Sequence, residues 1–222
     1  MLSHVLNSGL LPAGYYAMAE QVASGIIPDV LTLQAIEDDD KGADADASGG
    51  TAVAVEPPKV SISARLEQSL YARKANHLVI RHRSSDRVVA ILEVISAGNK
   101  ANRRDFNDLM RKTLDAIHAG IHILLIDLHP PTPRDPQGIH GAIWSELGDD
   151  SYRAPQDKPL TLVSYVGHPE LTCFVEPTAV GQPLQAMPLF LSTTRYVTVP
   201  LEDSYMRAFA EIPDRARAPL ET

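Results

Sequence analysis

The sequence predicts an α/β protein with a mixed central sheet and flanking helices. Two β-rich runs, His77–His82 and Arg87–Ile95, flank the turn-like Arg83–Asp86 and should pair as an antiparallel hairpin. An amphipathic helix follows over about Arg103–His118, with Phe106, Leu109, Met110, Leu114 and Ile117 at helical spacing. Asn102 is its expected N-cap and Ala119-Gly120 its stop. Ile121–Leu128 is then almost continuously apolar, as a strand buried on both faces would be. Strand, helix, strand in this order makes a βαβ unit, so 87–95 and 121–128 should be parallel with a right-handed crossover.

The remaining elements read as additions to that unit. Met1–Leu11 is a short helix with Leu2, Val5, Leu6 and Leu10 on one side, broken by Pro12-Ala-Gly14. Tyr15–Val22 and Ile26–Leu33 read as a hairpin through Ser24-Gly25. Beyond the central block come a Pro-rich loop at His129–Pro136 and a short helix near Gly138–Leu147. A hairpin formed by Leu160–Val166 and Leu171–Val175 follows, then a short strand at Pro188–Leu191 and a helix over Leu201–Ile212. No internal repeat is present. The reading is one domain over residues 1–222 with a flexible acidic insertion at about 37–58. That stretch, EDDDKGADADASGGTAVAVEPP, has too few apolar side chains to offset the entropy of ordering it.

Composition narrows the function classes. The 222 residues are 44% hydrophobic and 22% charged, ordinary values for a globular chain. No apolar run approaches the roughly 18 residues that a membrane span needs, so no membrane partner is expected. The start, MLSHVLNSGLLPAG, has no basic region followed by a continuous apolar stretch, which argues against a signal peptide. The single cysteine, Cys173, forms no internal disulfide and anchors no Cys-rich zinc site, which fits a cytoplasmic protein. A net charge of −8 argues against a nucleic-acid binder that uses its whole surface. Glu37–Asp46 alone holds six acidic residues and one lysine, however, so the rest of the chain is close to neutral. A local basic helix face around Lys100, Arg103, Arg104 and Arg111 is where a nucleic acid would lie.

One ordered set of residues points to chemistry. Pro28-Asp29 opens a strand, Glu93-Val94-Ile95 closes another, and Lys112 lies in the helix after it. Metal-dependent phosphodiester hydrolysis uses carboxylates to hold Mg²⁺ and a cation to stabilise developing negative charge. Asp29 and Glu93 are the candidate metal-binding carboxylates, the backbone carbonyl of Ile95 a third ligand, and Lys112 the catalytic cation. Asp127, at the carboxyl end of a buried parallel strand, occupies a common place for site residues. His122 reads as a core or interface histidine. The eight histidines show no metal-binding spacing, and no phosphate-binding loop, dinucleotide fingerprint or nucleophile elbow is present.

The order of Asp29, Glu93 and Lys112 resembles the PD-(D/E)XK superfamily, in particular its putative restriction endonuclease branch, where the lysine is displaced to the next helix. The standard motif places lysine two residues after the glutamate, and here that position is Ile95. Glu20 matches an extra acidic residue near the start of such folds. A closer resemblance is to domain-of-unknown-function family 4058. It is carried by Leu11-Pro-Ala-Gly-Tyr15, by Pro28-Asp-Val30, and by VVAILEVISAGNK and RKTLDAIHAGIHILLIDL within Val89–Leu128. Glu93, Ser96, Asn99, Lys100, Lys112, Gly120, His122 and Asp127 match that family residue for residue. The family's opening motif S-P-F-P-G-M-D-P-Y-L-E is absent, and Ala97-Gly98 stands where the family has Pro-Ala. The resemblance implies a restriction-endonuclease-like core; the family carries no established reaction.

Structural roles compete with the catalytic ones. Asp29 fits a strand-opening turn. Glu93 in an apolar strand needs a partner, since an unpaired buried carboxylate is costly, and a salt bridge to Lys112 would supply one. Lys112 also sits at i,i+4 from Asp108. Two functions therefore stay open: a Mg²⁺-dependent nuclease, and a catalytically inactive binding or assembly module with the same fold.

Overall fold

The computed structural model describes residues 2–19, 62–67, 78–167, 170–213 and 215. Its framework is a mixed sheet in the order β1-β3-β4-β5-β6-β7-β2. The strands are β1 (Tyr15–Ala19), β2 (Ile62–Glu67), β3 (Leu78–His82), β4 (Val88–Val94), β5 (His122–Asp127), β6 (Leu160–Val166) and β7 (Glu170–Thr178). Only β4 and β5 run parallel, with Glu93 opposite Leu125. Every other neighbouring pair is antiparallel.

The βαβ unit forms as the sequence predicts. The helix between its strands, α3, spans Arg103–His118, preceded by a short helix α2 (Ala97–Ala101). The Asn102 side chain accepts from the Asp105 N–H at 3.0 Å and caps α3. Gly120 ends it at φ +72°, a left-handed conformation that glycine adopts without steric cost. Gly167, just after β6, then lies close behind. A Cβ on Gly167 would lie 3.0 Å from the Ile117 carbonyl oxygen, so that position accepts no larger side chain without a shift.

All six residues of β5 are buried, so both sheet faces must be covered. On one face α3 and α4 (Gly138–Glu146) pack over Ile91, Ile95, Ile123, Leu125, Val163 and Tyr165. The other face holds Ala90, Leu92, Leu124, Ile126 and Leu162. It is covered by the hairpin β8 (Met187–Phe190) and β9 (Tyr196–Val199) and by the N-terminal helix α1 (Leu2–Val5) with the wider turn Leu6–Leu10. The last helix, α5 (Leu201–Ala210), buries only Leu201 and Ser204.

Three elements differ from the sequence reading. The strand β2 beside β7, the short helix α2 and the strand β9 are additional. The expected strand over Ile26–Leu33 and the acidic insertion at about 37–58 lie outside the described residues, and β1 pairs with β3. Among the described residues no helix is long and apolar enough to cross a membrane.

Two histidines are built into these cores. His122 faces the hairpin side, with its ring 6.3 Å from that of Phe190. His140 of α4 is hydrogen-bonded through Nδ1 to the Tyr165 hydroxyl at 2.7 Å. Burial lowers the pKa of each to about 4, with Arg87 adding to the effect at His122. The folded protein therefore resists protonation that the unfolded chain accepts near pH 6.5. Their contribution is fully present above pH 6.5 and is lost as pH falls to about 4. Urea denaturation across this range should show a loss of about 3 kcal/mol per histidine. In His122→Leu the loss should shrink by that amount; an unchanged pH profile would refute the assignment.

Candidate functional site

Successive side chains of β4 point to opposite sheet faces, so Glu93, between Ile91 and Ile95 of the helix-side core, faces the α3 side of the sheet. It is 3% exposed, in a strand that is otherwise apolar from Val88 to Val94. Pairing continues past the end of β4, because the Ile95 N–H donates to Ile126 O at 2.9 Å. Asp127 follows Leu125 by two residues along β5 and so shares the face of Glu93. Both carboxylates therefore stand beneath the helices, toward the carboxyl ends of the parallel pair.

Beyond Glu93 the chain turns back sharply. Ser96 and Asn99 form a reciprocal capping box that starts α2: the Ser96 N–H donates to Asn99 Oδ1 at 2.8 Å and the Asn99 N–H to Ser96 Oγ at 3.3 Å. That turn delivers Lys100 into the interior, where it is 4% exposed. Its ammonium donates to Asp127 Oδ2 at 2.7 Å and to the His129 carbonyl at 3.2 Å. Asp135 Oδ2 approaches within 2.8 Å as an ion pair, off the hydrogen-bonding direction. Asp135 is held in turn by the backbone and hydroxyl of Thr132. The Arg134 guanidinium closes the cluster by donating to the Lys100 carbonyl at 2.9 Å. One ammonium thus ties α2, the end of β5 and the loop before α4 into a single knot. Burial raises the Asp127 carboxyl above its usual range, opposed by the hydrogen bond and charge of Lys100.

This geometry corrects three sequence-based expectations. Lys100 is not part of an exposed basic face; it is the buried centre of an ion cluster. Arg103, Arg104 and Arg111 are exposed as expected. Asp108 pairs with Arg111 at 2.7 Å, an i,i+3 contact, and not with Lys112. Among the described residues Lys112 makes no hydrogen bond or ion pair, so the salt bridge to Glu93 is not formed. Lys112 is half-buried on α3, immediately before the buried Thr113. The Ile95 side chain, 2% exposed, packs into the helix-side core. Asp29 and Glu20 lie outside the described residues, and among those described no three His, Cys, Asp or Glu side chains cluster to hold a metal ion.

Sequence reasoning placed Asp127 at a strand end but did not join it to Lys100, 27 residues away, or to Asp135. Asp135 sits in a Pro-rich loop and reads as an ordinary turn residue. Its spacing of three from Thr132 was the available signal for a local side-chain cap. No protein-family model, no curated protein and no solved structure matches the chain.

Removing the ammonium leaves two buried carboxylates facing each other. Lys100→Ala should cost about 3–5 kcal/mol in urea denaturation at pH 7. Adding Asp127→Asn to Lys100→Ala should cost much less than Asp127→Asn alone. Additive losses would show that the two side chains are not coupled.

Proposed function

We propose that the sheet face beneath α3 is a restriction-endonuclease-like site for Mg²⁺-dependent hydrolysis of nucleic-acid phosphodiesters. The observation that carries the reading is the burial of Glu93 on the helix-covered face, in the strand that feeds the helix bearing Lys112. That is the relation of glutamate to lysine that the resemblance implies. Glu93 is a hard oxygen donor of the type Mg²⁺ takes, and Asp29 is the second carboxylate. When bound, the ion supplies polarisation of the phosphate and a water of lowered pKa. The chain's own contributions are specific. Glu93 presents a carboxylate in a site shielded from bulk water, where its interactions are stronger than at the surface. Lys112, with no partner among the described residues, keeps its donors for the developing charge on a phosphate oxygen.

A catalytically silent binding or assembly module is the second reading, and one observation favours it. Lys100 already places a cation between Asp127 and Asp135 at the carboxyl ends of β4 and β5, so those carboxylates are committed to the fold.

Calorimetry with Mn²⁺, followed by a nuclease assay, separates the two. The nuclease reading expects one bound ion, lost in both Glu93→Gln and Asp29→Asn. Lys112→Gln should keep the ion while cleavage falls by about 100-fold or more. A folded wild type that takes up no ion even with an uncleavable oligonucleotide present, or a Glu93→Gln that binds as the wild type does, would leave the silent module as the better reading.

A further inference from the structure

An open groove of about 870 Å³ runs between α3 and α4. Its floor is apolar, with Phe106, Met110 and Leu114, and its rims carry charge of both signs. Arg103, Arg111, Arg134 and Arg153 face four carboxylates, Asp115, Glu146, Asp149 and Asp150. The two signs are not evenly mixed. Arg134 donates to the carbonyl of Lys100, just before α3, so it lies beside Arg103 at the start of that helix. Arg153 is not part of that group, because its guanidinium donates to the carbonyls of Asp150 and Tyr152. Glu146, Asp149 and Asp150 follow at the far end of α4. The groove is therefore polarised, and its positive end adjoins the ends of β4 and β5.

The charges also differ in how they are used. Asp149 accepts from Trp144 Nε1 at 3.0 Å and from the Ser151 N–H at 2.7 Å, and Asp150 accepts from Ser145 Oγ at 2.5 Å. The guanidiniums of Arg134 and Arg153 meet only neutral backbone carbonyls among the described residues, so most of their donors remain. Arg103 has no hydrogen bond or ion pair among the described residues. It also stands in the first turn of α3 beside Arg104, where the helix dipole disfavours cations. Exposed guanidinium forks gathered at the positive end of a groove match phosphate oxygens in geometry and charge.

We infer that the arginine end of this groove holds the phosphate backbone of a nucleic-acid strand and leads it to the site beneath α3. The inference rests on the nuclease reading and adds the strand's path to it. Because the far end is acidic, the strand crosses the groove at Arg103 and Arg134 and does not run its length. Contact is thus limited to about two phosphates, and the dependence of log K on log salt should have a slope near −1.5.

Fluorescence anisotropy of a labelled single-stranded oligonucleotide, with EDTA present and the full chain as the binder, tests this without a metal. Arg103→Gln with Arg134→Gln should weaken binding at least tenfold and flatten the salt slope. Both side chains are exposed, so the fold should be retained, which thermal unfolding verifies. Glu146→Gln should not weaken binding. Equal binding by the double variant would overturn the groove while leaving the metal site untouched. No binding by the wild type at low salt would overturn it as well. Loss of Mn²⁺ binding bears only on the site beneath α3, so the two failures are distinguishable.

Discussion

The complete burial of β5 is the constraint from which the architecture follows. A strand with six buried residues has no solvated face, so two layers must cover it. The chain covers one face with α3 and α4 and the other with the β8–β9 hairpin and the N-terminal helix. Parallel pairing of β4 and β5 demands a crossover, and that crossover is α3. The carboxyl ends of both strands then open at one place. Glu93 and Asp127 are set on the same face there by the two-residue period of a strand.

Charge at that place is costly to bury, and the fold answers it differently at its two carboxylates. Asp127 is neutralised by Lys100, which the Ser96–Asn99 capping box folds inward and Arg134 holds at its carbonyl. A buried ion cluster of this kind adds little net stability over an apolar core. Its effect is to fix one arrangement of α2, the end of β5 and the loop before α4. Glu93 is outside that cluster and is the carboxylate that the nuclease reading assigns to a metal. The same strand ends thus hold a structural cation of the protein's own beside a proposed site for an external one.

Much of the central block was legible in the sequence because its signals are local. The period of Phe106, Leu109 and Met110, the cap at Asn102 and the stop at Gly120 each specify their own segment, and α3 has the bounds they imply. The β3–β4 and β6–β7 hairpins follow from short turns between β-rich runs. β2 was not legible, because its partner β7 lies more than 100 residues away and nothing local specifies that pairing. Lys100 reads as one more basic residue near Arg103 and Arg104, and only the fold shows that its two carboxylates come from a strand end and a distant turn. At the candidate site, the face of Glu93 was legible from alternation. The lack of a Lys112 partner among the described residues was not, because i,i+4 spacing permits the Asp108 pair that Arg111 takes instead.

The most direct test of the central claim is the anomalous signal of Mn²⁺ soaked into crystals of the protein. The account predicts one peak about 2.1 Å from a Glu93 carboxylate oxygen, the distance at which small divalent ions take oxygen ligands. Lys100 should remain seated between Asp127 and Asp135. A peak at Asp127 and Asp135 with Lys100 displaced, or no peak near Glu93 at saturating metal, would contradict it.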